Sequence, residues 1–146
     1  MKRKIAMLVV LSFLLASCSD EMNTDDIKPP ELSISIGEET IDPVLGAYSW
    51  GETNVFGQGV SVSASSDLPV TIADYQEPIT VASDSEVSIE FEKQPTHYSV
   101  RTWDSEGQLD SYDELDLSIH SGLNIYEILA SWPEGTGSYS FYLDVE

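Results

Sequence analysis

The side chains that could do acid–base or nucleophilic chemistry are unevenly supplied. The sequence holds 26 Asp and Glu residues, two histidines (His97 and His120) and one cysteine, Cys18. Nucleophilic catalysis needs a serine, threonine or cysteine with a base in reach. No Gly-x-Ser-x-Gly elbow occurs, and many serines alternate with apolar residues, as outward positions of strands do. His97 suits an outward partner of Glu92, and His120, beside Ser121-Gly122, suits a turn. A hydrolase of this kind is not expected, and no catalytic residue is assigned.

The carboxylates suggest two further chemistries. Acid pairs about 5–9 Å apart hydrolyse glycosides, but they need a deep cleft that a small β-domain seldom offers. Clustered hard oxygens bind calcium, and Asp104, Glu106, Asp110, Asp113, Glu114 and Asp116 crowd one region. The spacing is not that of an EF-hand loop, because Gly107 follows Asp104 by only three positions. The favoured reading is a solvated acidic loop, with no metal ligand and no cofactor; a small-ligand or calcium-binding module is the alternative. Trp50, Trp103 and Trp132, with seven tyrosines, could build a sugar-stacking platform. Strand parity instead places Trp132 with Ile128 on a buried face. It gives Trp103 the outward parity of Glu86 and Arg101, which makes it the expected exposed aromatic.

Composition limits the framework that can position these groups. The 146 residues carry 26 acidic and 6 basic groups, a formal charge of −20. Three of the basic residues are Lys2, Arg3 and Lys4; without residues 1–17 the chain keeps 146 − 17 = 129 residues and a charge of 3 − 26 = −23. Phosphate binding works by displacing counterions with lysine and arginine, so no nucleic-acid partner is expected. The length suits one domain with one core. The acids are spread along the chain, which fits a surface kept hydrated in its surroundings better than a focused docking patch.

Lys2-Arg3-Lys4 precedes an apolar run from Ile5 to Leu15, which is too short for the roughly 20 residues a membrane span requires. Leu15-Ala16-Ser17-Cys18 resembles the bacterial lipobox. That resemblance implies cleavage after Ser17 and a diacylglyceryl thioether on Cys18, usually with further acylation of its amine, palmitate being one such acyl group. Two acyl chains hold a protein on a membrane stably where one does so marginally, at roughly 0.8 kcal/mol per buried CH2. The lipidation site is therefore Cys18 and the expected location is the extracytoplasmic face of the cell membrane. No other cysteine exists for an intramolecular disulfide or a cysteine zinc site.

Residues 18–31 form the expected lipidated cysteine and acidic tether, since Ser19 to Glu31 is rich in acids and carries a Pro-Pro pair. From 32 to 146 the apolar period is two. Leu32/Ile34/Ile36, Val60/Val62/Ala64, Val87/Ile89/Phe91, Leu115/Leu117/Ile119, Tyr126/Ile128/Ala130/Trp132 and Tyr139/Phe141/Leu143/Val145 each predict a strand with one buried face. Ile125 to Leu129 is the stretch that could accommodate a helical turn. Turns are predicted at Gly51–Asn54, Ser66–Pro69, Gln94-Pro95, Asp104–Gly107 and Pro133–Gly137. The fold class is thus all-β, a single antiparallel sandwich of immunoglobulin-like type. One hairpin is predicted in detail: Glu86–Glu92 and His97–Trp103, joined by Lys93–Thr96. It sets Phe91 opposite Tyr98, Ile89 opposite Val100, Val87 opposite Thr102 and Glu92 opposite His97, with Arg101 diagonal to Glu90.

Gly46-Ala47-Tyr48-Ser49-Trp50, then Ala73–Pro78, then Phe91 to Trp103, then Trp132–Phe141 resembles, in that order, a group of small lipoproteins and secreted proteins of Bacillus-like bacteria. The likeness covers Gly46 to Glu146. It implies location and fold and brings no catalytic residue. Gly137-x-Tyr139-x-Phe141 is similar to the tyrosine corner of immunoglobulin-type sandwiches, with Phe141 at the cysteine position. The sequence closes at Glu146, so this likeness does not carry the standard strand order. An ordinary core tyrosine is the alternative at Tyr139. Together these features predict a membrane-anchored, non-catalytic β-domain that binds or presents to a protein or cell-wall partner.

Overall fold

Alternation of apolar and polar residues becomes, among the described residues, ten strands in two packed sheets. A computed structural model describes residues 27–53 and 56–146; the leader, Cys18 and the first part of the expected tether lie outside the described residues. The strands are β1 (Leu32–Ile36), β2 (Glu39–Ile41), β3 (Val44–Thr53), β4 (Gly59–Ala64), β5 (Ile79–Val81), β6 (Val87–Phe91), β7 (His97–Asp104), β8 (Gly107–Tyr112), β9 (Gly122–Trp132) and β10 (Gly135–Val145). The small sheet has the order β2-β1-β6. The large one has the order β4-β3-β10-β9-β7-β8, with β5 added beside β10. All pairings are antiparallel except β5 with β10. The protein is an all-β sandwich.

Parity predicts the core well. Leu32, Ile34 and Ile36 of β1, Phe91 of β6, and Tyr126, Ile128, Ala130 and Trp132 of β9 are all buried, as are Tyr139, Phe141, Leu143 and Val145 of β10. Each large apolar side chain removed from water contributes roughly 1.5–3 kcal/mol, which is what presses the two sheets together. Ile125 to Leu129 is strand throughout, not a helical turn. Leu115, Leu117 and Ile119 are not a strand. Leu117–Ile119 is a short 3₁₀ turn, because the Asp116 carboxylate accepts hydrogen bonds from both the backbone N–H (2.9 Å) and the hydroxyl (2.6 Å) of Ser118. Gly51 to Thr53 continue β3 instead of turning, with the Gly51 N–H donating to the Glu134 carbonyl at 2.8 Å.

The detailed hairpin does not form. Leu32 to Ile36 of β1 take the positions facing β6, pairing Leu32 with Phe91, Ile34 with Ile89 and Ile36 with Val87. β7 lies in the other sheet between β8 and β9, with Tyr98 opposite Ala130 and Val100 opposite Ile128. Lys93 to Thr96 therefore cross between sheets. Phe91 and Tyr98 still meet, ring centroids 5.7 Å apart, but across the core and not along one sheet. Parity told which faces are buried; it could not tell which strand a buried face sits beside.

Residues before the tether boundary at Glu31 also pack on the sandwich. Ile27 is only 2% exposed, Pro29 and Pro30 are buried, and the Glu92 N–H donates to the Glu31 carbonyl at 3.0 Å. The Tyr139 hydroxyl donates to the Pro30 carbonyl at 2.5 Å. A tyrosine corner bonds to backbone a few residues upstream, so Tyr139 does not make one. It clamps the Ile27–Glu31 strap onto the sandwich, and burial pushes its phenol well above the ordinary value of 10.0. Tyr139→Phe is expected to cost about 1–2 kcal/mol in a urea melt, because the buried Pro30 carbonyl loses its donor. Hydrogen exchange at the Glu31 amide should rise with it; unchanged protection there would show that the strap does not depend on this bond.

Candidate functional site

The strap forms one wall of a groove of about 760 Å³. Lys28, Pro29, Pro30 and Glu31 make that wall. Glu52 and Thr53 at the end of β3 face it, Glu92 and Lys93 enter from the crossing between sheets, and Glu134 enters from the β9–β10 turn. Trp50 reaches the groove from the core below. Its ring meets Trp132 edge-on at 5.3 Å, and Trp132 in turn meets Phe91 edge-on at 5.7 Å. The Trp132 indole N–H donates to the Lys93 carbonyl at 2.8 Å, which fixes the crossing segment to β9.

Charge in the groove is two lysines against four carboxylates. Lys93 hydrogen-bonds and ion-pairs with Glu134, and Lys28 lies 3.6 Å from Glu31. The Glu31 N–H donates to Glu92 Oε2 at 3.3 Å. Glu52 adds a fourth carboxylate. The excess of acceptors suits a cationic or hydrogen-bond-donating ligand better than an anion. The hydrogen bond from Lys93 holds the Glu134 carboxyl below its ordinary value of 4.5. A depressed folded-state value means that this contribution is complete above pH 4.5 and is lost as pH falls through the folded value. Melting temperature should therefore drop below pH 4.5, and Lys93→Met should flatten that part of the profile. An identical acid limb in the variant would count against the pair.

A second polar cluster lies on the opposite face of the large sheet. Glu127 of β9 is 6% exposed although its parity points away from the main core. Ser138 Oγ donates to its Oε1 at 2.5 Å, the Trp103 indole N–H donates to Oε2 at 2.9 Å, and Arg101 Nη1 stands 3.7 Å from Oε2. The 3₁₀ segment Pro69–Asp74 packs on β9, β10 and β7, and its Ile72 is 1% exposed while lying outside the main core cluster. That cover explains why an outward residue is buried. Glu127 has a donor on each oxygen, so its interior placement is satisfied and the cluster reads as structural.

The expected site residues scatter. Trp50 and Trp132 are buried and Trp103 is half-buried with its N–H on Glu127, so the three tryptophans form no platform and Trp103 is not the exposed aromatic. His97 lies exposed on β7 opposite Ser131, and Glu92 bonds to the strap instead of to His97. Arg101 is paired with Glu127 and not set diagonal to Glu90. His120 follows the second 3₁₀ turn, its ring edge-on to Tyr112 at 5.6 Å and to Tyr126 at 6.3 Å. Burial there raises the Tyr126 phenol to about 12.

The acids from Asp104 to Asp116 do not share one loop. Asp104 closes the β7–β8 turn by accepting from the Glu106 and Gly107 N–H groups at 2.8 and 3.1 Å, Asp110 is on β8, and Asp116 caps the second 3₁₀ turn. Among the described residues no group of three or more His, Cys, Asp or Glu is arranged to hold a metal ion. Cys18 lies outside the described residues.

The groove itself went unread in the sequence. Its only local signal is the Pro29-Pro30 pair after Ile27, which reads as linker until Gly137 is seen to leave room for it: a Cβ there would stand 3.0 Å from Pro29 Cβ. No protein-family model, curated protein or solved structure matches the chain. Trp50, Phe91, Trp132 and Tyr139 form one edge-on aromatic cluster below the groove.

Proposed function

We propose that this is a lipid-anchored extracytoplasmic protein whose non-catalytic β-sandwich binds, or presents itself to, a protein or cell-wall component close to the membrane. The supporting observation is the strap: Ile27 is built into the core and Lys28–Glu31 wall the groove. With a lipid on Cys18, the chain from Cys18 to Ile27 could reach no further than roughly 32 Å even fully extended. A groove attached so closely to its anchor samples partners at the membrane surface, not in the medium. Its role is docking, with the carboxylates as acceptors and the Trp50 edge as the apolar contact.

Crosslinked membranes and an affinity pull-down test this reading. Cys18→Ala should move the protein from the membrane fraction to the medium, or leave it uncleaved, and abolish capture of the partner. Unchanged membrane fractionation and lipid labelling would overturn the anchor, and capture that persists in Glu92→Lys would remove the groove from the contact. A small cationic ligand in the groove is the second reading, favoured by its surplus of carboxylates. Melting shifts with calcium or amine-bearing wall fragments would favour it over a macromolecular partner.

A further inference from the structure

A strand at the end of a sheet exposes a row of unpaired backbone N–H and C=O groups, and proteins usually guard such edges with charge or by keeping them very short. Most edges of this sandwich are guarded. β8 carries Asp110, and β6 carries Glu90 between the flanking Glu86 and Glu92. β2 is three residues long and contains Glu39, while β5 is three residues long. β4 is different. It has six residues, Gly-Val-Ser-Val-Ser-Ala, forms the end of the large sheet, and lies within a stretch that has no charged residue between Glu52 and Asp67.

We infer that β4 is an association edge and that its partner is β4 of a second copy of this chain, added antiparallel across a two-fold axis. In an antiparallel pair, directly opposed residues share a face. An axis through Val62 sets Val62 against its own copy, Val60 against Ala64 and Ser61 against Ser63. The half-buried valines, which pack on the rim of the core, meet apolar residues, and the exposed serines meet serines. The same register count brings Phe56 of one copy, 86% exposed, towards Leu68 of the other, 60% exposed. Two such acidic chains repel at most approaches. Here no carboxylate stands on the meeting strands, so backbone hydrogen bonding and apolar contact act with least opposition.

The test uses the full chain carrying Cys18→Ala, so that the only thiol is the one introduced. Sedimentation at up to about 0.1 mM should show a dimer. Raising salt from about 0.15 to 1 M should strengthen it by screening the like charges. Ser61→Lys, at an exposed position, should weaken dimerisation at least tenfold with an unchanged far-ultraviolet spectrum. Val62→Cys should form an intermolecular disulfide at least tenfold more readily than Leu109→Cys on the β8 edge. A monomer at both salt concentrations, equal crosslinking at the two edges, or a dimer indifferent to Ser61→Lys would overturn the assignment. So would a foreign strand found on β4 of a monomeric chain.

Discussion

Gly135→Ala is expected to be the most damaging single-methyl change in the molecule. Gly135 opens β10 directly after the Pro133-Glu134 turn and pairs with Trp132 on one side and Trp50 on the other. A Cβ at this position would stand 1.9 Å from the Ser49 carbonyl oxygen and 2.9 Å from its carbon. Those are backbone atoms of β3, so no side chain can swing aside. β3 or β10 must separate, and the register that supports the Trp50–Trp132 contact separates with them. A loss above about 4 kcal/mol is expected, in the range reserved for strain that cannot relax. For a domain of this size that lowers Tm by on the order of 15 °C. Gly51→Ala is the matched control, because a Cβ there meets nothing closer than 3.6 Å. If Gly135→Ala melted like Gly51→Ala, the close approach of β10 to β3 would be wrong.

Trp132→Ala is the second large effect, and its cause is different. The ring is 6% exposed, edge-on to Trp50 at 5.3 Å and to Phe91 at 5.7 Å, so it joins β9 of the large sheet to β6 of the small one. Truncation of a buried tryptophan costs about 3–5 kcal/mol through lost transfer energy and the cavity left behind. The indole N–H is a separate contribution, since the Lys93 carbonyl accepts it at 2.8 Å. Trp132→Phe keeps much of the packing and removes the bond, so about 1–2 kcal/mol is expected from it. Urea melts of the two variants separate packing from hydrogen bonding. Equal losses would mean that the bond to the Lys93 carbonyl, and not the ring's volume, holds the sheets at this end.

The two substitutions act at one place, the turn that carries Glu134 into the groove. Docking and stability are therefore coupled there: loosening the β9–β10 hairpin moves a groove carboxylate and releases the Lys93 crossing. The strap is coupled to the same end through Tyr139 and Pro30. Variants meant to probe binding are better placed at exposed Glu92, whose change leaves the aromatic cluster intact.

How much of this was legible in the chain depends on the range of the physics involved. Period-two alternation is local, so the buried faces of β1, β6, β9 and β10 could be read residue by residue, and the turn at Asp104–Gly107 declared itself through an aspartate ahead of a glycine. The class of fold followed from those signals. Partner choice is not local. Val87, Ile89 and Phe91 would satisfy the same parity against β7 or β1, and β1 won because it also places Glu31 beside Glu92 and brings the strap over Tyr139. Burial of Ile27 and Glu127 was equally hidden. Ile27 is one of two large apolar residues in an acidic run yet joins the main core, and Glu127 is an outward strand residue on whose strand the distant Pro69–Asp74 segment packs. The chain by itself determined which side of β1, β6, β9 and β10 packs into the main core. Only the tertiary structure decided which strands are neighbours, and hence where the groove and the unguarded edge lie, because those depend on contacts between residues that no short-range pattern connects.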